Sequence, residues 1–228
     1  MENKLSLFKE LAKLFKDNNF SLYLVGGTVR DYLLNKEIDD MDLTTDATPS
    51  EMSLFLKEAD FTFSKLGFIK LKYKGIAFDI TTLRKEGNYK DFRHPSNIEF
   101  VKDLKEDYIR RDFTINAMYM DENLNVIDYC EGRKDLENHI LKMVGDPKIR
   151  IQEDPLRILR AIRFSLLYNL KMDPHLIEAI NGNVSLLEKL NIDKIKQEFK
   201  KMHDVDKNKL EDYLNYFSIQ YILKVVDY

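Results

Sequence analysis

The feature that most constrains this chain is a glycine pair followed by two nearby aspartates. Residues 26–31 read Gly-Gly-Thr-Val-Arg-Asp after a short apolar run, and Asp40 and Asp42 come soon after them. Because glycine has no Cβ, such a turn lets the backbone come close to a phosphate group. Side chains alternate along a strand, so a D-x-D pair on a strand points both carboxylates to the same face. Together the two motifs predict a place that holds a triphosphate and its divalent metal ion.

Asp40 and Asp42 are therefore the predicted catalytic and metal-binding residues. Two carboxylates on one strand face repel each other unless a cation lies between them, which favours a metal site. The alternative is a solvated acidic loop, because Glu37, Asp39 and Asp46 crowd the same stretch. The glycine turn just upstream favours the metal site over this alternative.

Asp79 is a candidate third carboxylate. It lies in a predicted strand between Phe78 and Ile80, whose side chains would face the opposite side of the sheet. A carboxylate that faces the Asp40 and Asp42 pair would complete or orient the metal site. The alternative is an ordinary outward-facing strand residue.

Composition bounds the classes of protein to which this chain can belong. Its 228 residues suffice for one large domain or two modest ones, and a hydrophobic content of 44% supports a core. The net charge of −3 neither favours nor excludes a nucleic-acid partner, because a local basic face can coexist with a near-neutral total. A single cysteine, Cys130, is typical of a reducing compartment. With no signal-peptide pattern and no membrane-length apolar stretch, we expect a soluble cytoplasmic protein without a membrane partner.

The hydrophobic pattern predicts an α+β front of about 135 residues, followed by an all-helical rear. In the front we expect helices over residues 3–18 and 29–34, a third helix that opens with a capping box at Thr48 and Glu51, and strands over residues 21–25, 42–44, 61–63, 68–73 and 76–83. Residues 84–97 are predicted to form a polar loop. From about residue 110 we expect mostly helical structure, with helices over residues 136–142, 154–170, 174–180, 184–190 and 192–202.

A second dense cluster contains Arg110, Arg111, Asp112 and Asn116. Arg111 suits a phosphate, because its planar guanidinium binds pairs of oxygen atoms. Asp112 and Asn116 are four residues apart, so on a helix they would share a face and contact a ribose hydroxyl or brace Arg111. The alternative is a cluster of salt bridges at a helix N-terminus.

A third cluster is formed by Asp154, Arg157, Arg160 and Arg163. Asp154, followed by a proline, predicts a helix start. The three arginines recur every third residue without a compensating acid inside the helix, which predicts a row that binds an anion. The alternative is a basic surface stripe. Asp154 and Arg157, one turn apart, present an acceptor and a donor fork that would match the Watson–Crick edge of a base and select a nucleotide without a template.

These three clusters, in this order, resemble the class II tRNA nucleotidyltransferase and bacterial poly(A) polymerase family over about residues 22–164. The resemblance implies an α+β fold with a nucleotidyltransferase head of the polymerase β-like type and a small mixed sheet. It also implies a division into a catalytic head (residues 1–136), an all-helical neck that selects the nucleotide (residues 137–202) and a short helical body remnant (residues 203–228).

The resemblance also implies roles for individual residues. The D-x-D of the family, which binds the metal, matches Asp40 and Asp42, and the implied cofactor is Mg²⁺. Its E-D-x-x-R motif, which chooses between CTP and ATP, matches Glu153, Asp154 and Arg157. In full, the residues that match its nucleotide-binding motifs are Gly27, Arg30, Arg111, Asp112, Asn116, Asp154, Arg157, Arg160 and Arg163.

Three further stretches bear on the resemblance. Asp128, Gly132 and Asp135 resemble a short motif between head and neck, for which the resemblance implies a role in their relative motion. Residues 84–97 resemble the flexible loop of the family, whose presence favours addition of CCA over addition of CC alone. A departure lies at residues 193–194, which read Asp-Lys where the family usually has Glu-Arg.

The resemblance therefore implies a template-independent nucleotidyltransferase that adds C, C and A to the 3′ end of tRNA from CTP and ATP, with Mg²⁺. The alternatives are a poly(A) polymerase or partial CC- or A-adding enzyme and, from another class, a catalytically silent nucleotide- or RNA-binding module. Relatives continue beyond the position of Tyr228 into body and tail domains that hold tRNA. Whether natural or truncated, a short form is expected to select nucleotides but bind tRNA more weakly. The sequence leaves the oligomeric state open.

Overall fold

The computed structural model describes residues 2–38, 41–89 and 95–226. The chain divides into two compact units, which we call the head unit and the helical unit. The head unit comprises the described residues within Met1–Gly87, Asn97–Arg111 and Ile115–Arg133. The helical unit comprises those within Asn88–Ser96, Asp112–Thr114 and Lys134–Tyr228. The three-part division into head, neck and body remnant stays a prediction.

Helices and strands follow one another along the chain in an α+β order. The first helices are α1 (Glu2–Asp17), α2 (Gly27–Leu33), α3 (Pro49–Phe55), α4 (Leu104–Asp107) and α5 (Gly132–Glu137). The strands up to residue 127 are β1 (Leu22–Val25), β2 (Met41–Thr45), β3 (Phe68–Tyr73), β4 (Ile76–Thr82), β5 (Arg84–Tyr89), β6 (Pro95–Phe100), β7 (Tyr119–Met120) and β8 (Val126–Ile127). The remaining elements are β9 (Ile140–Leu141), α6 (Pro147–Glu153), α7 (Leu156–Tyr168), β10 (Lys171–Met172), α8 (Pro174–Asn181), α9 (Ile192–Lys200), α10 (Lys207–Tyr216) and α11 (Leu223–Val226).

A mixed sheet with the strand order β3-β4-β2-β1-β7-β8 forms the centre of the head unit. β2 runs parallel to β4, and the other neighbouring strands of this sheet are antiparallel. Leu43 of β2 pairs with Leu24 of β1 and with Ile80 of β4, and all three side chains are fully buried. The predicted α+β fold with a small mixed sheet is confirmed.

The long first helix supplies much of the apolar packing of the head unit. Leu7, Phe8, Leu11 and Phe15 recur at helical spacing and are buried, and α1 packs against β1. Phe15 also meets Phe55 of α3 edge-on, with ring centroids 5.1 Å apart. Each such buried side chain contributes about 1.5–3 kcal/mol to folding. The helix predicted over residues 3–18 is confirmed.

The start of α3 shows that local sequence rules hold in this unit. The hydroxyl of Thr48 accepts a hydrogen bond from the Glu51 amide at 3.3 Å, and the Glu51 carboxylate accepts one from the Thr48 amide at 2.7 Å. Pro49 occupies the first helical position, where its missing N–H has no intrahelical partner to lose. The predicted capping box is confirmed.

Two stretches of the front half differ from the prediction. Residues 61–63, predicted as a strand, form a turn that leads into the 3₁₀ helix Ser64–Leu66. Residues 84–97, predicted as a loop, include β5 and the start of β6, and these two strands pair with each other. Residues 90–94 of that predicted loop lie outside the described residues. The charged composition of this stretch predicted a loop, whereas β structure depends more on strand pairing than on local propensity.

The expectation of mostly helical structure from residue 110 was also wrong in part. Short 3₁₀ turns, Tyr108–Arg110 and Thr114–Asn116, are followed by β7 and β8. Tyr119 and its neighbours are all buried, and a fully buried strand lacks the alternation that distinguishes it from a helix. Residues 136–142 likewise contain the end of α5 and then β9 rather than one helix.

The helical unit is organised around α7. This helix packs against α6, α9 and α10, and it buries Ile158, Leu159 and Ile162. The predictions of helices for residues 154–170, 174–180 and 192–202 correspond to α7, α8 and α9, whereas Val184–Lys189 is a 3₁₀ helix. β9 and β10 add a short parallel pair that the all-helical expectation did not include. Among the described residues, no helix has the length and apolar character needed to cross a membrane.

Candidate active site

The glycine pair forms the turn between β1 and α2. Gly26 has φ 66° and ψ −128°, a conformation that residues with a Cβ rarely adopt. Its N–H donates to the carbonyl of Met118 at 3.3 Å. A Cβ on Gly27 would lie 3.2 Å from Nη2 of Arg30, so that guanidinium would have to shift. The backbone conformation and the close packing of Arg30 therefore both favour glycine here.

Arg30 is buried directly beneath this turn. Its Nε and Nη2 donate to the two carboxylate oxygens of Asp31 at 3.0 and 2.9 Å. Its Nη1 donates to Oδ1 of Asn116 at 2.5 Å. This geometry joins α2 to the 3₁₀ turn of Asn116. The predicted common helix face for Asp112 and Asn116 was wrong, because a 3₁₀ turn, Thr114–Asn116, ends this stretch instead.

Asp42 and Asp79 lie side by side on the sheet. The parallel strands β2 and β4 pair these two residues, so their side chains leave the same face from Cα atoms about 5 Å apart. Met41 and Leu43 are buried on the other face, whereas Asp42 is exposed and Asp79 is partly exposed. The Asp42 amide donates to the Thr28 hydroxyl at 3.0 Å, which links this strand to the glycine turn.

The donor set at this position suits a hard divalent cation. Carboxylate oxygens are the ligands that such cations prefer, and adjacent parallel strands bring Asp42 and Asp79 together on one face. Within the described part of the chain, no group of three His, Cys, Asp or Glu side chains is arranged to hold a metal ion. Asp40, the other half of the predicted pair, lies outside the described residues.

Asp107 is the central charged residue of the head unit, and sequence reasoning missed it. Its Oδ1 accepts from the Arg84 amide at 3.0 Å and from Nε of Arg110 at 2.8 Å. Its Oδ2 accepts from Nη2 and Nε of Arg111 at 2.8 and 3.1 Å and from the Tyr119 hydroxyl at 2.7 Å. Asp107 is fully buried, so these contacts replace its hydration.

The ionisation of this cluster follows from its contacts. Burial alone would raise the pKa of Asp107, but the charges of Arg111 and Arg110 outweigh burial and lower the pKa well below its usual value. Burial raises the pKa of Tyr119, which keeps its hydroxyl protonated as a donor. Asp107 precedes the two arginines by three and four residues, and this spacing was the available sequence signal. The predicted phosphate ligand Arg111 is thus braced by a buried carboxylate.

In the helical unit, Asp112 pairs with Arg160 of α7. One carboxylate oxygen of Asp112 accepts from Nε of Arg160 at 2.8 Å and also from its Nη2. Burial lowers the pKa of Arg160, but the charge of Asp112 outweighs it and raises that pKa, so the guanidinium stays charged. The two residues are 48 positions apart in sequence, which no local pattern relates.

Glu198 of α9 supplies a second carboxylate to α7. It is almost fully buried, forms an ion pair with Nε of Arg163 at 3.0 Å, and accepts from Nζ of Lys201 at 2.8 Å. Burial would raise the pKa of Glu198, but the charge of Arg163 and the hydrogen bond from Lys201 lower it. The acids that compensate the arginine row of α7 therefore come from outside that helix.

Arg157, the first arginine of the row, is buried at the junction of α6 and α7. Its Nη1 donates to the carbonyl of Arg150 at 2.5 Å and to Glu153 at 3.2 Å. Asp154 lies between the two helices, and its carboxylate accepts from the Leu156 amide at 3.1 Å. This burial rules out the exposed basic stripe for Arg157. The base-reading role of Asp154 and Arg157 stays a prediction.

The predicted head–neck motif forms two local contacts. The Asp128 carboxylate accepts from the amides of Gly132 and Arg133 at 3.1 and 2.9 Å, which fixes the turn before α5. Asp135 is buried in the helical unit and accepts from the Thr114 hydroxyl at 2.7 Å. The structure thus brings predicted residues together within each unit. In the head unit the glycine turn lies beside the carboxylates, and in the helical unit the arginines of α7 pair with acidic side chains.

A mixed sheet of this strand order, with carboxylates on neighbouring strands beside a glycine turn, is the architecture of a nucleotidyltransferase head domain. The model of the family described as poly A polymerase head domain matches residues 22–142, more than half of the chain. The chain belongs to this family.

Named relatives agree with this family. The CCA-adding enzyme of Staphylococcus haemolyticus is 42% identical over 213 residues, which are 93% of this chain and 53% of that protein. The crystal structure of the Bacillus stearothermophilus CCA-adding enzyme in complex with CTP is 31% identical, with a TM-score of 0.85 over 92% of this chain and 51% of that one. The Thermotoga maritima CCA-adding enzyme complexed with tRNA is 26% identical, with a TM-score of 0.76 over 96% of this chain and 52% of that one. The chain spans about half the length of these relatives.

Proposed function

We propose that this protein is a template-independent nucleotidyltransferase that adds C, C and A to the 3′ end of tRNA from CTP and ATP. The observation that carries the proposal is the placement of Asp42 and Asp79 in register on neighbouring strands, beside the glycine turn. The similarity to CCA-adding enzymes, one of them in complex with CTP and one with tRNA, supports the choice of substrates.

In this proposal Asp40 and Asp42 hold Mg²⁺, and Asp79 is a further ligand or orients the pair. Bound Mg²⁺ supplies charge neutralisation at the phosphates and activation of the attacking hydroxyl. The terminal 3′ hydroxyl of the RNA attacks the α-phosphate of the nucleotide, a new phosphodiester bond forms, and pyrophosphate leaves. The Thr28 hydroxyl, through its hydrogen bond to the Asp42 amide, fixes the carboxylate strand relative to the turn. Gly27 and Arg30 would lie next to the nucleotide.

Nucleotide selection is assigned to the helical unit. Asp154 and Arg157 are proposed to read the Watson–Crick edge of the incoming base, with an acceptor and a donor fork respectively. Glu153 and the Arg150 carbonyl hold the Arg157 guanidinium in one orientation, which lowers the entropy cost of binding a base. The remaining proposed nucleotide-binding residues are Arg111, Asp112, Asn116, Arg160 and Arg163.

The test is extension of a tRNA that lacks its CCA end. The chain is incubated with this tRNA, Mg²⁺ and CTP, ATP or both, and the products are sized at single-nucleotide resolution. The proposal expects two added residues with CTP alone and three with both nucleotides. A ladder of added A with ATP alone would identify a poly(A) polymerase instead, and CTP binding without extension would identify a silent module.

A matched pair of variants shows whether the carboxylate edge carries the reaction. Asp42→Asn keeps the side-chain shape and removes the charge, so extension is expected to fall by at least two orders of magnitude, about 3 kcal/mol in barrier. Glu37→Gln removes an exposed carboxylate from the same stretch and is expected to extend normally. Equal loss in both variants would refute the assignment.

A further inference from the structure

An exposed aromatic and basic surface adjoins the carboxylate edge of the head unit. We call it the Phe63 strip and define it as Phe63, Leu66, Phe68, Lys70 and Phe100. Phe63, Leu66 and Phe100 are 50%, 52% and 36% exposed, although large apolar side chains are usually buried. The rings of Phe63 and Phe68 lie 6.2 Å apart, and the Phe100 ring lies beside Gly67, the residue that precedes Phe68.

Lys70 connects the strip to the proposed catalytic edge. β3 pairs Lys70 with Asp79 of β4, and Asp79 is paired in turn with Asp42 of β2. Each step across the sheet is about 5 Å, so the three charged side chains form one row on the open face. The ammonium of Lys70 lies 5.9 Å from the centroid of the Phe68 ring. Lys70 is exposed, and its charge also acts on Asp60, which faces it across an isolated β-bridge and whose pKa it helps to lower.

The backbone next to the strip permits this close arrangement of rings. Gly67 has φ 74°, and a Cβ there would lie 2.6 Å from the Phe100 ring. Nη1 of Arg84 donates to the Leu66 carbonyl at 2.6 Å, which holds the turn that carries Phe63 and Leu66. The exposed side chains are therefore held on an ordered turn that a side chain at Gly67 would disturb.

We propose that the Phe63 strip binds the single-stranded 3′ end of the RNA that the enzyme extends. Bases stack on the rings of Phe63 and Phe68, and Lys70 contacts a backbone phosphate close to the terminal hydroxyl. Aromatic side chains interleaved with cations are the common means of holding single-stranded RNA. The inference rests on the proposed function, because it needs an RNA end that reaches Asp42.

Two observations favour RNA over a protein partner at this strip. First, the row from Lys70 through Asp79 to Asp42 makes the strip continuous with the place where a 3′ hydroxyl has to lie. Second, the rings carry adjacent cations: Lys70 within the strip, and Lys65 in the 3₁₀ helix beside it. Protein interfaces, by contrast, are depleted in lysine at their centres.

The test measures binding of a fluorescein-labelled, single-stranded RNA dodecamer ending in C by anisotropy, using the whole chain at several salt concentrations. Phe63→Ala is expected to weaken binding by about 5- to 150-fold, the effect of losing one stacked base. Lys70→Gln is expected to reduce the slope of log affinity against log salt by about 0.7, the value for one phosphate contact. In extension assays both variants raise KM for RNA and leave KM for CTP unchanged.

The head unit offers a matched control for these variants. Lys105 lies 5.8 Å from the centroid of the Tyr129 ring, and Tyr129 is 36% exposed, so this pair repeats the lysine–ring contact away from the strip. Lys105→Gln and Tyr129→Ala are expected to bind the dodecamer as the wild type does. Phe63→Tyr retains a ring and is expected to bind normally, whereas Phe63→Leu retains apolar bulk and is expected to bind weakly.

The outcomes separate this inference from the proposed function. If the wild type extends tRNA and the Phe63 and Lys70 variants bind RNA as it does, the inference is refuted and the function stands. If the wild type extends no RNA, the proposed function is refuted, and the inference, which rests on that function, is refuted with it. If Phe63→Ala changes the molar mass by light scattering and not the RNA affinity, the strip is a contact between copies of the chain, which also refutes the inference.

Discussion

Asp107 provides the sharpest stability test, because one buried carboxylate meets three arginines and a tyrosine. Asp107→Asn keeps the shape and one acceptor oxygen but replaces the other oxygen with an NH₂ group. Oδ2 accepts from Arg111 and Tyr119, and Oδ1 accepts from Arg110 and the Arg84 amide. Whichever way the amide is oriented, at least two donors then face another donor across a hydrogen-bond distance.

The magnitude follows from burial. Removing one partner of a buried ion pair typically costs about 3–5 kcal/mol, because the remaining charge has no replacement for its hydration. The total stability of a domain is about 5–15 kcal/mol, so the substitution removes a large share of it. With a urea slope of about 2–3 kcal/mol per molar, the midpoint of unfolding is expected to fall by about 1–2.5 M.

The assay is urea unfolding at pH 7, followed by far-ultraviolet circular dichroism. The control is Glu106→Gln, which removes the adjacent carboxylate; its partner Lys85 is 46% exposed, so less than about 1 kcal/mol is expected. Tyr119→Phe is expected to cost about 1–2 kcal/mol, and the double variant with Asp107→Asn less than the sum. An Asp107→Asn midpoint within the range of Glu106→Gln would refute the reasoning.

Three further predictions follow from the described contacts. Gly26→Ala places a Cβ at φ 66° and is expected to cost about 1–3 kcal/mol in urea unfolding. The control is Gly87→Ala, where φ is not positive and nothing lies within 4 Å of the added Cβ, so little change in the urea midpoint is expected. Folding lowers the pKa values of Asp107 and Glu198 below their unfolded-state values, which are near 4. The stabilisation from these two carboxylates is therefore fully present above pH 4 and is expected to decline as pH falls towards their folded-state pKa values. The measurement is the urea midpoint, which is expected to fall below pH 4. Chelation of Mg²⁺ by EDTA is expected to abolish tRNA extension, and excess Mg²⁺ is expected to restore it. Product length measured before and after the addition tests the metal requirement.

Local sequence signals predicted the elements that are stabilised locally. The helical spacing of Leu7, Phe8 and Leu11 predicted α1, and the Thr48–Glu51 box predicted the start of α3. The strand β3 was predicted with its observed bounds, because polar and apolar residues alternate along it. These signals depend on residues a few positions apart, which a single sequence displays directly.

Other elements depend on partners that are distant in sequence. The charged strand β5 forms through pairing with β6, and the buried strand β7 lies between β1 and β8, so neither carries a clear local period. The same limit applies to the site. The glycine turn and Asp42 were predicted from short motifs, whereas the pairing of Asp112 with Arg160 spans 48 positions and was not foreseen.

The arginines of the two units, each taken within its own unit, show why their distant partners matter for the proposed chemistry. An unpaired buried guanidinium would be too costly to retain, and an exposed one would adopt many orientations. Asp107 and Asp112 remove both problems for Arg111 and Arg160, since each carboxylate neutralises a cation and fixes its plane by hydrogen bonds. Glu198 neutralises Arg163 in an ion pair. A guanidinium has five N–H donors. The carboxylate of Asp112 engages the Nε and Nη2 edge of Arg160, and Nη1 lies 4.0 Å from Oε1 of Glu198. Folding, rather than substrate binding, therefore supplies the free energy that orients the donors of Arg111 and Arg160, as the proposed selection of nucleotides by protein side chains would require.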